Sequence, residues 1–346
     1  MSGTISTVDL FCGAGGLTYG FEQAGLPVKA GYDIDPACKF PYERNNKAKF
    51  ILDDINHVSK FDLEQHFGES TVRVLVGCAP CQPFSNYARR YSDNESKWKL
   101  LQDFARLVQE CQPEIVSMEN VLQLKHHSVF TEFVQSLKDL NYSVESYEID
   151  CLDYGIPQSR KRLVLLASKF GKIELVPPTH DETRYETVRG TIEHLDHLIA
   201  GQTSTIDRLH QCSKLSDLNL RRIRASKPGG TWRDWSQDLV AKCHKKKSGK
   251  TYPAVYGRME WDRPSPTITT QCFGFGNGRF GHPQQDRAIS LREAALLQTF
   301  PPNYEFLSPN EPVVFDRIGR LVGNAVPVKL GQVIAQSILS HIKQVL

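Results

Sequence analysis

Apolar residues in the first half of the chain fall into two alternating kinds of run. Ile5 to Phe11 is short and continuous and stops at Gly13-Ala14-Gly15-Gly16; Leu17, Phe21 and Ala24 then recur at helical spacing, and Gly25 supplies a helix end. Val28 to Tyr32 reads as a second strand, and Val72-Arg73-Val74-Leu75-Val76 as a later one ending at Gly77. Leu100, Leu101, Phe104, Leu107 and Val108 make one helical stripe, halted before Pro113. Ile115 to Met118 predicts another strand, and Val129, Phe130, Phe133, Val134, Leu137 and Leu140 another helix. Leu163 to Ala167 closes the series. Alternation of this kind predicts a doubly wound α/β sheet, whose ligands lie beyond the carboxyl ends of the strands.

From about 171 to 289 the alternation fades, and Pro, Gly, Thr and basic residues take over. The expected organisation is a sheet domain over 1–170, a smaller loop-rich recognition domain over 171–289, and a segment over 290–346 that returns to the first domain. Helical patterning resumes at Ser290-Leu291-Arg292-Glu293, a capping-box pattern, and Val328 to Leu346 predicts one amphipathic helix. No internal repeat is visible.

Composition narrows the class. With 346 residues, 40% hydrophobic and 23% charged, the chain is neither largely disordered nor collagen-like. No apolar run approaches the roughly 18 residues of a membrane span, and the first thirty residues lack a signal-peptide pattern. Nine scattered cysteines, an odd number, argue against a disulfide framework. A soluble, reduced, cytoplasmic protein is expected. The net charge of +3 is unevenly spread: residues 171–289 hold 19 basic against 13 acidic residues, and 221–250 hold ten against two. That basic excess beside Trp232 and Trp235 suits a polyanion better than an acidic metabolite, although a solvated lysine loop would look the same.

Candidate chemistry begins at Phe11-Cys12-Gly13-Ala14-Gly15-Gly16, where backbone can approach a ligand at a helix N-terminus. It is not a strict G-x-G-x-x-G, and a tight strand-to-helix turn reads the same way. Asp33, at the end of the second strand, can accept hydrogen bonds from ribose hydroxyls, and Asp54-Ile55 after the third candidate strand can grip an adenine edge. Together they indicate an adenosine-containing cofactor, without separating a nicotinamide dinucleotide from S-adenosylmethionine. In Gly77-Cys78-Ala79-Pro80-Cys81-Gln82-Pro83-Phe84-Ser85, a cysteine just past a strand and flanked by prolines is placed for nucleophilic attack. Cys78 and Cys81 also form a C-x-x-C. Zinc would need a second ligand pair, which the adjacent Cys243-His244 does not make, and a thioredoxin-like dithiol belongs at a helix N-terminus in a smaller fold.

Five motifs in order carry a resemblance: Phe11 to Gly16, Pro80-Cys81-Gln82, Glu119-Asn120-Val121, Gln158-Ser159-Arg160-Lys161-Arg162 and Gly323-Asn324-Ala325-Val326-Pro327. From about residue 4 to its end the chain resembles the DNA (cytosine-5)-methyltransferases, with a Rossmann-like S-adenosylmethionine-dependent sheet domain and an inserted target-recognition domain. The resemblance implies that Cys81 adds to cytosine C6 and that Glu119 contacts N3 and the exocyclic amine. Arg160 and Arg162 would hold the base carbonyl or nearby phosphates, with Arg162 matching the base-contacting arginine. Phe11, Gly13, Gly15 and Gly16 would surround the methionine portion of the donor, and Asp33 would take the ribose. Ile34 would pack on adenine, where some relatives carry a large aromatic. Asp54 and Ile55 would hold the purine edge, Pro80 would wall the pocket, and Asn324 would return to it.

The same resemblance implies a target base flipped out of the duplex, under a loop from Asn86 to Lys99 that carries Arg89 and Arg90. Residues 171–289 would read the major groove, with Lys245, Lys246 and Lys247 on phosphates and Gln271, Asn277 and Arg279 able to reach base edges. It further implies S-adenosylmethionine as cofactor with S-adenosylhomocysteine as product, no metal, double-stranded DNA as partner and a monomeric, cytoplasmic or nucleoid-associated enzyme. A restriction endonuclease against which it protects DNA would be a functional partner rather than a physical one. His126, His127 and His282 read as surface or structural residues. A tRNA-directed member of the superfamily fits the long basic region less well, and a catalytically silent DNA-binding module has no use for Cys81, Glu119 and Arg162. A nicotinamide oxidoreductase leaves Pro80-Cys81-Gln82 unexplained.

Overall fold

Residues Ser6 to Leu10 are all buried, as expected of a strand covered on both faces of a mostly parallel sheet. The computed structural model describes residues 4–80 and 98–346. It places this strand, β1 (Ile5–Leu10), in a seven-stranded sheet with β2 (Val28–Asp33), β3 (Lys49–Leu52), β4 (Val72–Gly77), β5 (Ile115–Asn120), β6 (Ser143–Asp150) and a further strand, Lys161–Ser168. With Gln158–Ser159 numbered β7, that last strand is β8, and the order across the sheet is β3-β2-β1-β4-β5-β8-β6. The first five in that order run parallel, whereas β8 is antiparallel to both β5 and β6. Chain order reverses between β1 and β4. That switch point leaves a crevice at the carboxyl ends, where the glycine loop and the loop after β4 both emerge.

The apolar runs at Ile5, Val28, Val72, Ile115 and Leu163 are β1, β2, β4, β5 and β8. The strand β6 was not legible as one: its SVESYEID sequence is mostly half-buried or exposed, as befits an edge strand. The helices α1 (Gly16–Gln23), α2 (Lys39–Asn45), α3 (Lys60–Phe67), α4 (Lys99–Cys111) and α5 (Ser128–Asp139) complete this unit's main chain order. Phe104, Leu107, Val108, Phe133 and Leu137 of α4 and α5 are buried in the same core as Leu75, Val116 and Leu165 of the sheet. The C-terminal helix (Val328–Val345) packs on α1 through backbone contact; a Cβ at Gly20 would stand 2.3 Å from the Val328 carbonyl.

Two compact units emerge: Met1–Tyr154 with Lys161–Thr179 and Ala325–Leu346, and Gly155–Arg160 with His180–Asn324. These compact units divide at 180 and 324, whereas the sequence pattern placed the domain limits at 171 and 289. Local packing accounts for the extent of the second unit. Within the second unit, the helix Phe315–Asn324 lies so close to Thr269-Thr270 that a Cβ on Gly323 would sit 2.3 Å from their backbone. The helix Leu291–Leu297 opens with the expected Ser290–Glu293 capping box, whose glutamate also accepts two 2.7 Å hydrogen bonds from the fully buried Arg287. Both helices are thus built into the second unit.

The second unit's small core contains Ile223, Trp232, Trp235, Leu239, Phe275 and Ala288. The tryptophans beside the basic run are core residues: Trp232 Nε1 donates to the Tyr252 carbonyl and Trp235 Nε1 to Ser226 Oγ. His282 is also structural, with Nδ1 accepting from the Gln284 and Gln285 amides. Among the described residues, no helix is long and apolar enough to cross a membrane.

Candidate active site

The loop that leaves β1 turns through positive backbone angles at Phe11 (φ 60°), Gly13 (φ 55°) and Gly15 (φ 90°), and Gly15 caps α1 without any side chain. Gly13 donates its amide to Asp33 Oδ2 at 2.9 Å, and the Asp35 amide donates to Oδ1 at 2.8 Å. The carboxylate at the end of β2 is thereby locked to the glycine loop across the sheet. Ile34, the next residue, is 66% exposed, an unusual state for isoleucine and one that leaves an apolar platform beside the loop. Asp9 lies deep in β1, with Oδ2 accepting from Thr18 at 2.7 Å; burial pushes its carboxyl up to about 7.

Asp54, half-buried after β3, accepts from the Asn56 amide and side chain at 3.0 and 2.8 Å. The Ile55 side chain is enclosed in the core, so only its backbone can meet a ligand, and its carbonyl takes a 2.9 Å hydrogen bond from Arg106. On the expectation that Asp33 takes the ribose of S-adenosylmethionine, Asp33→Ala weakens donor binding roughly ten- to hundredfold, the worth of hydrogen bonds to a charged group. Calorimetric titration of the donor checks this, and an unchanged affinity removes Asp33 from the ribose site.

At the neighbouring strand ends, the chain leaves β4 through Gly77, Cys78, Ala79 and the exposed Pro80. Cys81, Arg89 and Arg90 lie outside the described residues. Glu119, near the end of β5, has a side chain only 2% exposed, and its Oε1 stands 2.9 Å from Arg162 Nε on β8. The antiparallel pairing brings these two together, since Asn120 is opposite Leu163. Arg162 also donates to the Lys161 carbonyl at 2.8 Å.

Two further residues here, Cys78 and Asn120, were assigned no site role in the sequence. Cys78 Sγ donates to Glu119 Oε2 at 2.8 Å, and Asn120 Nδ2 donates to the Ala79 carbonyl at 3.1 Å, tying the β4 exit to β5. An ENV run gives away the asparagine's presence but not its partner, which comes from another strand.

The second unit holds the remaining candidates. Arg160 is buried, with Nη1 donating to the Ile268 carbonyl. Gln158 is fully buried and satisfied on every side: Nε2 donates to Leu297 O and Gln298 Oε1, and Oε1 accepts from the Ile268 amide. It holds the start of the threonine-rich loop in place beside the pairing of β7 with Ser265–Pro266. Gln271 and Asn277 are exposed, whereas Arg279 is half-buried and donates Nη1 to the Gly230 and Arg258 carbonyls. Asn324 is exposed at the end of its helix.

The basic run divides cleanly. Arg221 and Arg224 pair with Asp238 and Asp286, Arg222 donates to the Leu239 carbonyl and Arg233 to that of Lys250. Lys245, Lys246 and Lys247 are exposed, and among the described residues they enter no ion pair. The arginines have protein partners, whereas these three lysines face water. No group of three or more His, Cys, Asp or Glu is arranged to hold a metal ion among the described residues.

The sheet order and the loops gathered at its switch point define an α/β enzyme with the methyltransferase fold. A prophage-encoded chain of E. coli, described as a DNA modification methyltransferase, superimposes with a TM-score of 0.73 at 20% identity, covering 98% of this chain and all of that one. The Dnmt2 methyltransferase of S. pombe shares the fold at a TM-score of 0.64 and 17% identity, with 98% of each chain covered. The C-5 cytosine-specific DNA methylase family model matches residues 5–340, and the chain belongs to that family. It is a DNA (cytosine-5)-methyltransferase. Its relatives include the Type II methylase M.HgiDII of Herpetosiphon aurantiacus, 53% identical over 336 residues, which are 96% of this chain and 94% of that one. The Type II methyltransferase M1.HphI of Haemophilus parahaemolyticus is 32% identical, covering 97% and 87%.

Proposed function

We propose that the enzyme transfers a methyl group from S-adenosylmethionine to C5 of a cytosine flipped out of a specific double-stranded DNA sequence, through a covalent Cys81–C6 adduct. The observation that carries this reading is the buried Glu119 carboxyl, held between Arg162 and Cys78 one strand away from the β4 exit that leads to Cys81. An ionisable group buried at a strand end among polar partners is suited to chemistry rather than to stability.

The donor site fits what it must hold. Asp33, fixed by two amides, offers its remaining lone pairs to ribose hydroxyls, Ile34 offers an exposed apolar face to adenine, and the Gly13 backbone has open space where a Cβ would stand. Asp54, the Ile55 backbone and Pro80 would border the purine, and Phe11, Gly15, Gly16 and Asn324 the rest of the donor. When bound, S-adenosylmethionine supplies an electrophilic methyl group on a sulfonium cation.

The Cys81 thiolate adds to C6 and pushes electron density to C5, making that carbon nucleophilic. Glu119 contacts N3 and the exocyclic amine, and its proton offsets the charge that builds on the ring during attack. Arg162 holds the Glu119 carboxyl, and with Arg160 it is assigned to the base carbonyl or adjacent phosphates. Once C5 carries the methyl group, loss of its proton to a base expels the thiolate and restores the aromatic ring.

The exposed lysines supply the DNA-binding charge. Neutralising Lys245, Lys246 and Lys247 is expected to weaken binding to all sequences alike and to flatten the salt dependence, by about 0.9 in the log–log slope for each DNA phosphate that is no longer paired with a lysine. Binding measured over a salt series checks this; an unchanged slope removes the three lysines from the phosphate interface. Gln271 and Asn277 are assigned to base edges, together with whatever part of Arg279 is free of its carbonyl partners. Arg89 and Arg90 are assigned to the loop over the flipped base.

The Type II names of the relatives support a restriction–modification setting, in which methylation protects DNA from a partner endonuclease. The reading is tested by incubating the enzyme with labelled S-adenosylmethionine and either duplex DNA or tRNA, then resolving the nucleosides. Label in 5-methyldeoxycytidine supports it, and label in tRNA alone overturns it in favour of an RNA substrate.

A further inference from the structure

Glu119 is gripped at both oxygens, by Arg162 on one side and by a thiol on the other. Arg162 stands 2.9 Å from Oε1, while the Cys78 thiol donates to Oε2 at 2.8 Å, a short approach for sulfur. Among the described residues, these two are the charged or titratable groups set against that carboxyl, one from β8 and one from the β4 exit. A carboxyl turns easily about its last torsion, so an ion pair through a single guanidinium nitrogen leaves its plane poorly fixed. The hydrogen bond from Cys78 on the other oxygen fixes it.

Cys78 is itself immobilised. Its amide donates to the Leu10 carbonyl at 3.3 Å, prolonging the β1–β4 ladder, and the next carbonyl, of Ala79, accepts from Asn120 beside Glu119. The sulfur therefore enters the site from rigid backbone on both sides.

We propose that Cys78 is a positioning residue for methyl transfer, its thiol holding the plane of the Glu119 carboxyl against Arg162 so that the carboxyl edge meets the cytosine in one orientation. This rests on the reading of Glu119 given above. A thiol suits the task because it is a weak donor. It orients the carboxyl before DNA binds yet yields Oε2 readily when the stronger amine donor of the base arrives.

The test compares full-length Cys78→Ala and Cys78→Ser with the unaltered enzyme, measuring kcat and KM for methylation of duplex DNA. Cys78→Ala is expected to lower kcat about three- to tenfold, the range for one net hydrogen bond, with KM for DNA and donor affinity unchanged. Cys78→Ser, which keeps a donor, restores kcat. An alanine variant with the unaltered kcat overturns the proposal, and so does a serine variant as impaired as alanine.

If the alanine variant does not fold, the S–H stretching band of the unaltered protein decides, taken as an infrared difference against Cys78→Ser. A band at lower frequency than in Glu119→Ala supports the hydrogen bond, and an identical band overturns it. The unaltered enzyme is assayed alongside. If it makes no 5-methyldeoxycytidine, the underlying reading has failed; if it does and Cys78→Ala matches it, only this inference has.

Discussion

Cys81→Ala is expected to abolish methyl transfer, with kcat falling on the order of 10⁴- to 10⁶-fold as when a covalent nucleophile is removed, while DNA binding stays within a few-fold. The physical reason is that cytosine C5 is a poor nucleophile until C6 has accepted an electron pair, and no other group is assigned to supply one. Removing the sulfur takes away the adduct without removing either the lysines that would hold phosphates or the pocket assigned to the flipped base. Single-turnover methylation and a gel-shift titration on the same DNA check both halves. Equal loss of activity and binding would show that Cys81 serves the fold of its loop instead.

Glu119→Gln carries the second large expectation, a fall in kcat of roughly 10²- to 10³-fold, the cost of losing one preorganised group that stabilises charge in the transition state. The amide is nearly isosteric and still fills the space between Arg162 and Cys78, so the protein should fold. What it cannot do is deliver a proton toward N3. Arg162→Met is expected to act differently: it strands a carboxylate whose side chain is 2% exposed, and should destabilise the fold by about 3–5 kcal/mol. Thermal melting separates the two. A Glu119→Gln enzyme with nearly full activity would remove the carboxyl from the chemistry.

Much of the first unit was legible because its strands are buried on both faces and read as continuous apolar runs, and because a glycine loop needs positive backbone angles that few other residues adopt. The capping box at Ser290 was legible for a similar reason, since both partners lie within four residues. The burial of the tryptophans at 232 and 235 was not legible. Their neighbours in sequence are basic, but their neighbours in space are Ile223, Leu239 and Phe275, and only the latter decide burial. The second unit extends to Asn324, past the expected 289, and the close approach of Gly323 to Thr269-Thr270 joins residues more than fifty positions apart.

Residue types and their order are properties of the chain. They were enough to fix the alternating fold, the five motifs and the family to which they belong. The register of β8 against β5 is different in kind. It depends on an antiparallel strand inserted between β5 and the edge strand β6, and it alone sets Arg162 against Glu119. Likewise, the Cys78–Glu119 and Asn120–Ala79 hydrogen bonds exist because β4 and β5 are neighbours in the sheet, though forty residues separate them in sequence. Side-chain partnership depends on distances of a few ångströms between strands, and only tertiary packing sets those distances.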